Sequence, residues 1–160
     1  MLVDQELADL LLASGMTLAL AESCTGGLIA ARITALPGSS AYFSGGVVAY
    51  SNQVKTGVLR VPDAVLEQYG AVSEPVARAM AEGVRRLIGS DLGLSVTGIA
   101  GPGGGTPQKP TGTVFVGLAD HQGCSVLPFL FAGNREQVRQ QTADQAIIML
   151  KNRLAGLKRA

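Results

Sequence analysis

Apolar and polar positions along the chain alternate between short apolar runs and longer stretches of helical period. Val3, Leu7, Leu10 and Leu11 share one helical face while Asp4, Glu6 and Asp9 fall elsewhere, which predicts a first helix ending at Ser14-Gly15. Met16 to Ala21 is an apolar run of strand length. Leu28, Ile29, Arg32 and Ile33 then have helical spacing, closed by Pro37-Gly38. Tyr42 to Ser51, rich in Val and Tyr but weakened by Gly45-Gly46, predicts a second strand, and Asn52 to Leu59 a short helix. Another short helix opens at Pro62-Asp63 and stops at Tyr69-Gly70. Ser73 followed by Glu74-Pro75 is a start signal for a helix through Ile88, with Val76, Met80, Val84 and Leu87 as its stripe.

Leu92 to Val96 reads as a buried strand. Thr113 to Ala119 and Ser125 to Phe131 read as a hairpin about His121-Gln122-Gly123. Asn134 with Gln137 forms a capping box for a last helix, Arg135 to Leu154, whose stripe is Val138, Thr142, Ala146, Met149 and Leu150. Helices alternating with strands, plus one hairpin, predict an α/β domain: a three-layer α/β/α sandwich with a mixed sheet that includes the C-terminal hairpin. At 160 residues, without repeat or linker, the expectation is one domain over 1–160.

Composition narrows the partners. Thirteen basic residues against 12 acidic give no pull towards nucleic acid or membrane, and neither is expected. Only 16% of residues are charged while 47% are apolar, which favours a homo-oligomer over a monomer. The N-terminus has no basic start of the kind a signal peptide carries, and Leu10 to Ala21 is too short to span a bilayer. Cys24 and Cys124 have neither zinc-like spacing nor a disulfide framework, and His121 is the single histidine. The chain reads as cytoplasmic, with no metal and no cofactor expected.

Candidate chemistry lies where predicted strands end: Glu22 to Gly27, Tyr50 to Lys55, and Thr97 to Thr111. Ligands of open α/β sheets bind beyond the carboxyl ends of strands. Ser23, Cys24, Thr25, Tyr50, Ser51, Asn52, Lys55 and Thr97 would meet there with many glycine amides. The ordinary role of Ser23 or Thr25 is a helix cap, that of Lys55 a solvated lysine, and that of Arg135 and Arg139 a solvated helix face. A serine nucleophile needs a base, and His121 in a hairpin turn is badly placed. Of the four lysines, Lys55 alone follows a strand beside such a loop. Strand alternation expects Ser23 and Cys24 to point to opposite sides, one of them buried, with Ser23 preferred as the nucleophile. The loop from Gly98 through Gly101, Gly103 and Gly104 matches neither a Walker A sequence nor the dinucleotide fingerprint.

Ala21-Glu22-Ser23-Cys24-Thr25-Gly26-Gly27, Pro37-Gly38-Ser39-Ser40, Tyr50-Ser51-Asn52-Gln53-Val54-Lys55, Thr97-Gly98-Ile99-Ala100-Gly101-Pro102-Gly103-Gly104 and Lys109-Pro110-Thr111-Gly112-Thr113-Val114 follow one another in order. Together they resemble the CinA C-terminal domain family over nearly the whole chain, ending in Gly133-Asn134-Arg135 and Val138-Arg139. The family includes bacterial nicotinamide mononucleotide deamidases. In longer CinA proteins this domain follows one related to molybdopterin-binding folds, so the chain looks like the stand-alone form. The resemblance implies hydrolysis of the nicotinamide mononucleotide carboxamide to nicotinic acid mononucleotide and ammonia. It implies Ser23 as nucleophile and Lys55 as base. Tyr50 would assist proton transfer or orient the pair, and Thr97 would contact the amide or the nucleophile. Helix-start geometry adds the amides of Thr25, Gly26 and Gly27 as an oxyanion hole. Arg135, Arg139 and the glycine loop (Gly98, Gly101, Gly103, Gly104) are candidates for the phosphate, with Arg139 preferred. The rival readings are a nucleotide-binding module that does not hydrolyse, another amide or phosphate substrate, and a structural or partner-binding role.

Overall fold

The computed structural model describes residues 2–158; Met1, Arg159, Ala160 and the side chains of Leu2, Val3 and Lys158 lie outside it, Val3 being part of the predicted first stripe. In chain order the elements are α1 (Leu2–Ser14), β1 (Leu18–Glu22), α2 (Leu28–Thr34), β2 (Phe43–Val48), α3 (Asn52–Gly57), α4 (Asp63–Tyr69), α5 (Glu74–Ile88), β3 (Leu92–Gly98), β4 (Thr113–Asp120), β5 (Gly123–Leu130) and α6 (Arg135–Lys158). One mixed sheet has the order β2-β1-β3-β4-β5. β1 runs parallel to both β2 and β3, and β4 and β5 add the antiparallel hairpin.

β1 is central to the parallel part, so all five of its residues are buried and the two faces divide by alternation. Leu18 and Leu20 join Leu92, Leu94, Val114 and Val116 in the larger core, covered by Leu11 of α1, Ile29 and Ile33 of α2, and Ile147 and Leu150 of α6. Ala19 and Ala21 face the other way, onto Val76, Met80 and Val84 of α5 with Leu59 and Val61. Small residues on this second face let α5 lie close to the sheet. A Cβ on Gly117 would stand 2.9 Å from the Ala77 carbonyl oxygen, to which the Ser95 hydroxyl donates at 2.6 Å. These two cores make the three-layer α/β/α sandwich that the pattern predicts.

Several boundaries differ. β2 stops at Val48, short of Ser51: Ala49 N still completes the ladder to the Glu22 carbonyl (2.7 Å), but the Ala49 and Tyr50 carbonyls turn to Lys55. β3 continues to Gly98, since its antiparallel partner β4 still pairs there. α6 runs on to Lys158. Leu87 is 53% exposed; four residues after Val84 the inward place falls to Ile88, which packs on the second core. Among the described residues no helix is long and apolar enough to cross a membrane.

Candidate active site

β1 ends at Glu22, and the chain turns at once. Ser23 N donates to the Val96 carbonyl of β3 (3.1 Å), and the Ser23 carbonyl accepts from Gly26 N (3.0 Å). Gly26 and Gly27 have φ of +61° and +106°, the left-handed region that glycine enters without steric cost. The start of α2 is capped by neither Ser23 nor Thr25. Glu22, 2% exposed, folds its carboxylate over it instead. Oε1 accepts from Gly27 N (3.2 Å) and Ile29 N (3.0 Å), and Oε2 from Ala30 N (3.0 Å). A buried acid is satisfied by orphan helix-start donors, and its sign suits the helix dipole.

That arrangement corrects the expected oxyanion hole, because the Gly26 and Gly27 amides are already committed. Among the described residues, the amides of this turn without a partner are those of Cys24 and Thr25. The Thr25 hydroxyl is also buried without a hydrogen-bond partner.

α3 is started by Ser51, whose hydroxyl accepts from Val54 N (3.2 Å). One turn on, Lys55 points inward and is 2% exposed, far from the solvated state usual for lysine. Its Nζ lies 3.0 Å from Ser23 Oγ, 2.8 Å from the Ala49 carbonyl and 3.2 Å from the Tyr50 carbonyl. No carboxylate is among these partners, and burial pushes the ammonium pKa below its ordinary value. A neutral amine has two N–H bonds and one lone pair. With both hydrogens on the two carbonyls, the lone pair faces the Ser23 hydroxyl.

Ser23, Tyr50, Lys55, Thr97, Gly98, Gly101, Gly103, Gly104 and Arg135 all line a single cleft of 290 Å³, so the predicted loops do converge. A larger groove of 780 Å³ beside Ala132, Gly133 and the outer face of α6 contains none of them. Thr97 is buried and donates its hydroxyl to the Ala71 carbonyl (2.8 Å), tying the end of β3 to the segment before α5. A Cβ on Gly98 would come within 2.7 Å of Val114 Cγ2 and 3.2 Å of Cys24 Sγ, so no side chain fits there.

Three expectations change on contact with the geometry. Ser23 (8% exposed) and Cys24 (6%) are both buried and both reach the cleft, because alternation lapses once the chain leaves β1. Burial raises the Cys24 thiol to about 11, which leaves it an inert thiol rather than a thiolate. The phenol of Tyr50 sits on the rim, 59% exposed, and accepts from Arg135 Nη2 (3.0 Å) rather than joining the Ser23–Lys55 pair. Of the two arginines it is Arg135 that lines the cleft, its Nη1 reaching the Gly101 carbonyl (2.8 Å). Arg139, the preferred phosphate ligand, is half-buried and donates to the Cys24 and Thr25 carbonyls (3.3 and 2.8 Å).

Sequence reasoning missed Glu22, Ala71 and Val72. A carboxylate at the end of an apolar strand just before a glycine-started helix was a usable signal for Glu22. Nothing local marks the other two. Among the described residues no cluster of three or more His, Cys, Asp or Glu could hold a metal ion.

The fold is thus a three-layer α/β domain whose cleft, at the carboxyl end of β1, holds a serine hydroxyl beside the buried amine of a lysine from α3. The CinA C-terminal domain model matches residues 2–154, and the chain belongs to that family. It is 57% identical over 152 residues to a CinA-like protein of Geobacter metallireducens and 59% identical over 156 residues to one of Citrifermentans bemidjiense. These matches cover 95% and 98% of the chain, which spans 37% and 38% of the two relatives' length. A crystal structure of a competence-damaged protein (CinA) superfamily member from Klebsiella pneumoniae superposes with a TM-score of 0.93 at 34% identity, with 96% of each chain covered.

Proposed function

We propose that the protein hydrolyses the carboxamide of nicotinamide mononucleotide to nicotinic acid mononucleotide and ammonia. The observation that carries this reading is the Lys55 amine 3.0 Å from Ser23 Oγ, its other contacts being two backbone carbonyls. A module that only binds a nucleotide has no use for a buried amine beside a buried hydroxyl.

Ser23 Oγ attacks the carboxamide carbon while its proton passes to the Lys55 lone pair. The developing oxyanion meets the unpaired amides of Cys24 and Thr25. The Lys55 ammonium then returns its proton to the departing nitrogen, the C–N bond breaks, and ammonia leaves an acyl ester on Ser23. Water, deprotonated by the same amine, attacks the ester; Ser23 Oγ leaves with a proton and the carboxylate product is freed. Thr97, whose own proton is on Ala71, offers lone pairs to the substrate N–H groups. Tyr50 orients the pair through its carbonyl on Lys55 and anchors Arg135 through its phenol. Arg135 and the amides of the glycine loop suit the phosphate, and the cleft lining contains no Asp or Glu to oppose an anion.

The test is ammonia release from nicotinamide mononucleotide, without added metal, by wild type, Ser23→Ala and Cys24→Ala. Turnover by wild type and Cys24→Ala, with loss in Ser23→Ala, supports the assignment. Turnover by Ser23→Ala at the wild-type rate removes the nucleophile from Ser23. Nucleotide binding without ammonia release in any of the three makes the binding module the better account.

A further inference from the structure

The geometry points to Arg139 as a positioning residue of the nucleophile turn, not a ligand of the substrate phosphate. This rests on the Ser23 reading above. Every hydrogen bond the guanidinium makes goes to the main chain of that turn: Nε to the Cys24 carbonyl at 3.3 Å and Nη2 to the Thr25 carbonyl at 2.8 Å. It lies over the turn closely enough that a Cβ on Gly26 would stand 3.9 Å from Nη2. Arg135, one turn earlier on α6, faces the cleft; Arg139 does not line it.

The consequence for the reaction follows from peptide geometry. In a planar trans peptide the C=O of one residue and the N–H of the next point in opposite directions. Holding the Cys24 carbonyl against the guanidinium therefore turns the Thr25 N–H to the side away from it. The preceding peptide is held in the same manner, because Gly26 N takes the Ser23 carbonyl and leaves the Cys24 N–H facing out of the turn. These are the two amides without a partner, and successive N–H groups so displayed make a concavity for negative charge. A cation on the carbonyl side also polarises the Cys24–Thr25 peptide and strengthens its N–H as a donor.

The fold has other supports at this place. The Thr25 carbonyl also accepts from Leu28 N (3.1 Å), and Glu22 holds the start of α2 from the opposite side. Loss of Arg139 frees the plane of one peptide rather than dismantling the helix start. The effect belongs in the rate of reaction at the carbonyl, regardless of what the rest of the substrate carries.

A phosphate ligand and a turn-positioning residue are separated by comparing nicotinamide mononucleotide with its unphosphorylated riboside. Kinetics of wild type, Arg139→Ala and Arg139→Lys are measured on both, with thermal unfolding to verify that each variant is folded. The expected result is a fall in kcat of about 10²-fold for Arg139→Ala, by a similar factor on both amides and with little change in KM, as for a misplaced reacting group. Arg139→Lys, which reaches one carbonyl as a point charge, recovers part of it. A rise in KM confined to the phosphorylated amide, or unchanged kcat on both, overturns the inference. If Arg139→Ala does not fold, Arg139→Lys and Arg139→Gln carry the same comparison.

A second arm does not depend on the amide substrate. A fluorophosphonate labels the serine by forming an Oγ–P bond as the P–F bond breaks, fluoride departing and the hydroxyl proton passing to Lys55. Slower labelling of Ser23 in Arg139→Ala supports the inference even if neither amide is turned over by wild type, a result that would overturn the deamidase reading alone. Equal labelling rates overturn the inference itself.

Discussion

Glutamine at position 22 would exchange one carboxylate oxygen for an NH2 group and remove a charge while leaving the side-chain volume nearly unchanged. In the folded protein Oε1 accepts from Gly27 N and Ile29 N, and Oε2 from Ala30 N, with the side chain 2% exposed. The amide oxygen of Glu22→Gln can keep the first two bonds, but the new NH2 then meets the Ala30 N–H, donor against donor. A hydrogen bond to a charged group is worth about 1.5–3 kcal/mol, and stranding a buried donor costs about 1–3 kcal/mol. Loss of a negative charge at a helix start removes a further 0.3 to roughly 2 kcal/mol. The neutral side chain is less costly to bury, which offsets part of the sum. We expect a net loss of about 2–4 kcal/mol, which for a domain of this size lowers Tm by roughly 5–15 °C. Urea unfolding checks it: the midpoint should fall with an unchanged slope, and kcat should fall with it because Ser23 sits on the loosened turn. A stability change within about 0.5 kcal/mol, the range of an ordinary surface substitution, would refute the claim that this carboxylate stitches the turn to α2.

The pH dependence has a defined sign. Burial holds Lys55 below its ordinary 10.5, so kcat/KM should rise with pH and level off before pH 10.5, and Lys55→Met should lose both activity and that limb. Between the folded value and 10.5 the unfolded chain binds the extra proton, so stability should also rise with pH across that window; a flat profile in both measurements refutes a depressed amine. Gly83, inside α5, should respond against the usual helix rule. Ala in place of Gly within a helix normally stabilises by about 1 kcal/mol, but here the added Cβ would land on the Leu59 carbonyl oxygen. Gly83→Ala is expected to lose about 1–3 kcal/mol by overpacking, and a variant as stable as wild type in urea refutes the close approach of α5 to that segment.

The sequence by itself determined the elements and much of the cast of the site. Caps, glycine turns and apolar stripes act over two to four residues, so Ser73 and the Val76–Met80–Val84 stripe are legible without a fold, whereas Ser51, expected at the end of a strand, is the cap of α3. The ordered motifs likewise named Ser23, Lys55, Thr97 and the glycine loop. What they touch was decided by tertiary structure, because hydrogen-bond partners depend on which strands are neighbours. Lys55 is 32 positions from Ser23 and reaches it because β2 pairs in parallel beside β1, bringing both strand ends to the same edge of the sheet. That same packing strips the lysine of water and turns two carbonyls onto it. The docking of α5 on the sheet likewise brings Ala71, in the segment just before that helix, to the Thr97 hydroxyl. The two arginines at the start of α6 look alike in sequence, one turn apart, yet the packing of that helix in the fold sends Arg135 to the cleft and Arg139 to the carbonyls behind the nucleophile. Local periodicity says which face a residue occupies; only the assembled sheet says what stands opposite.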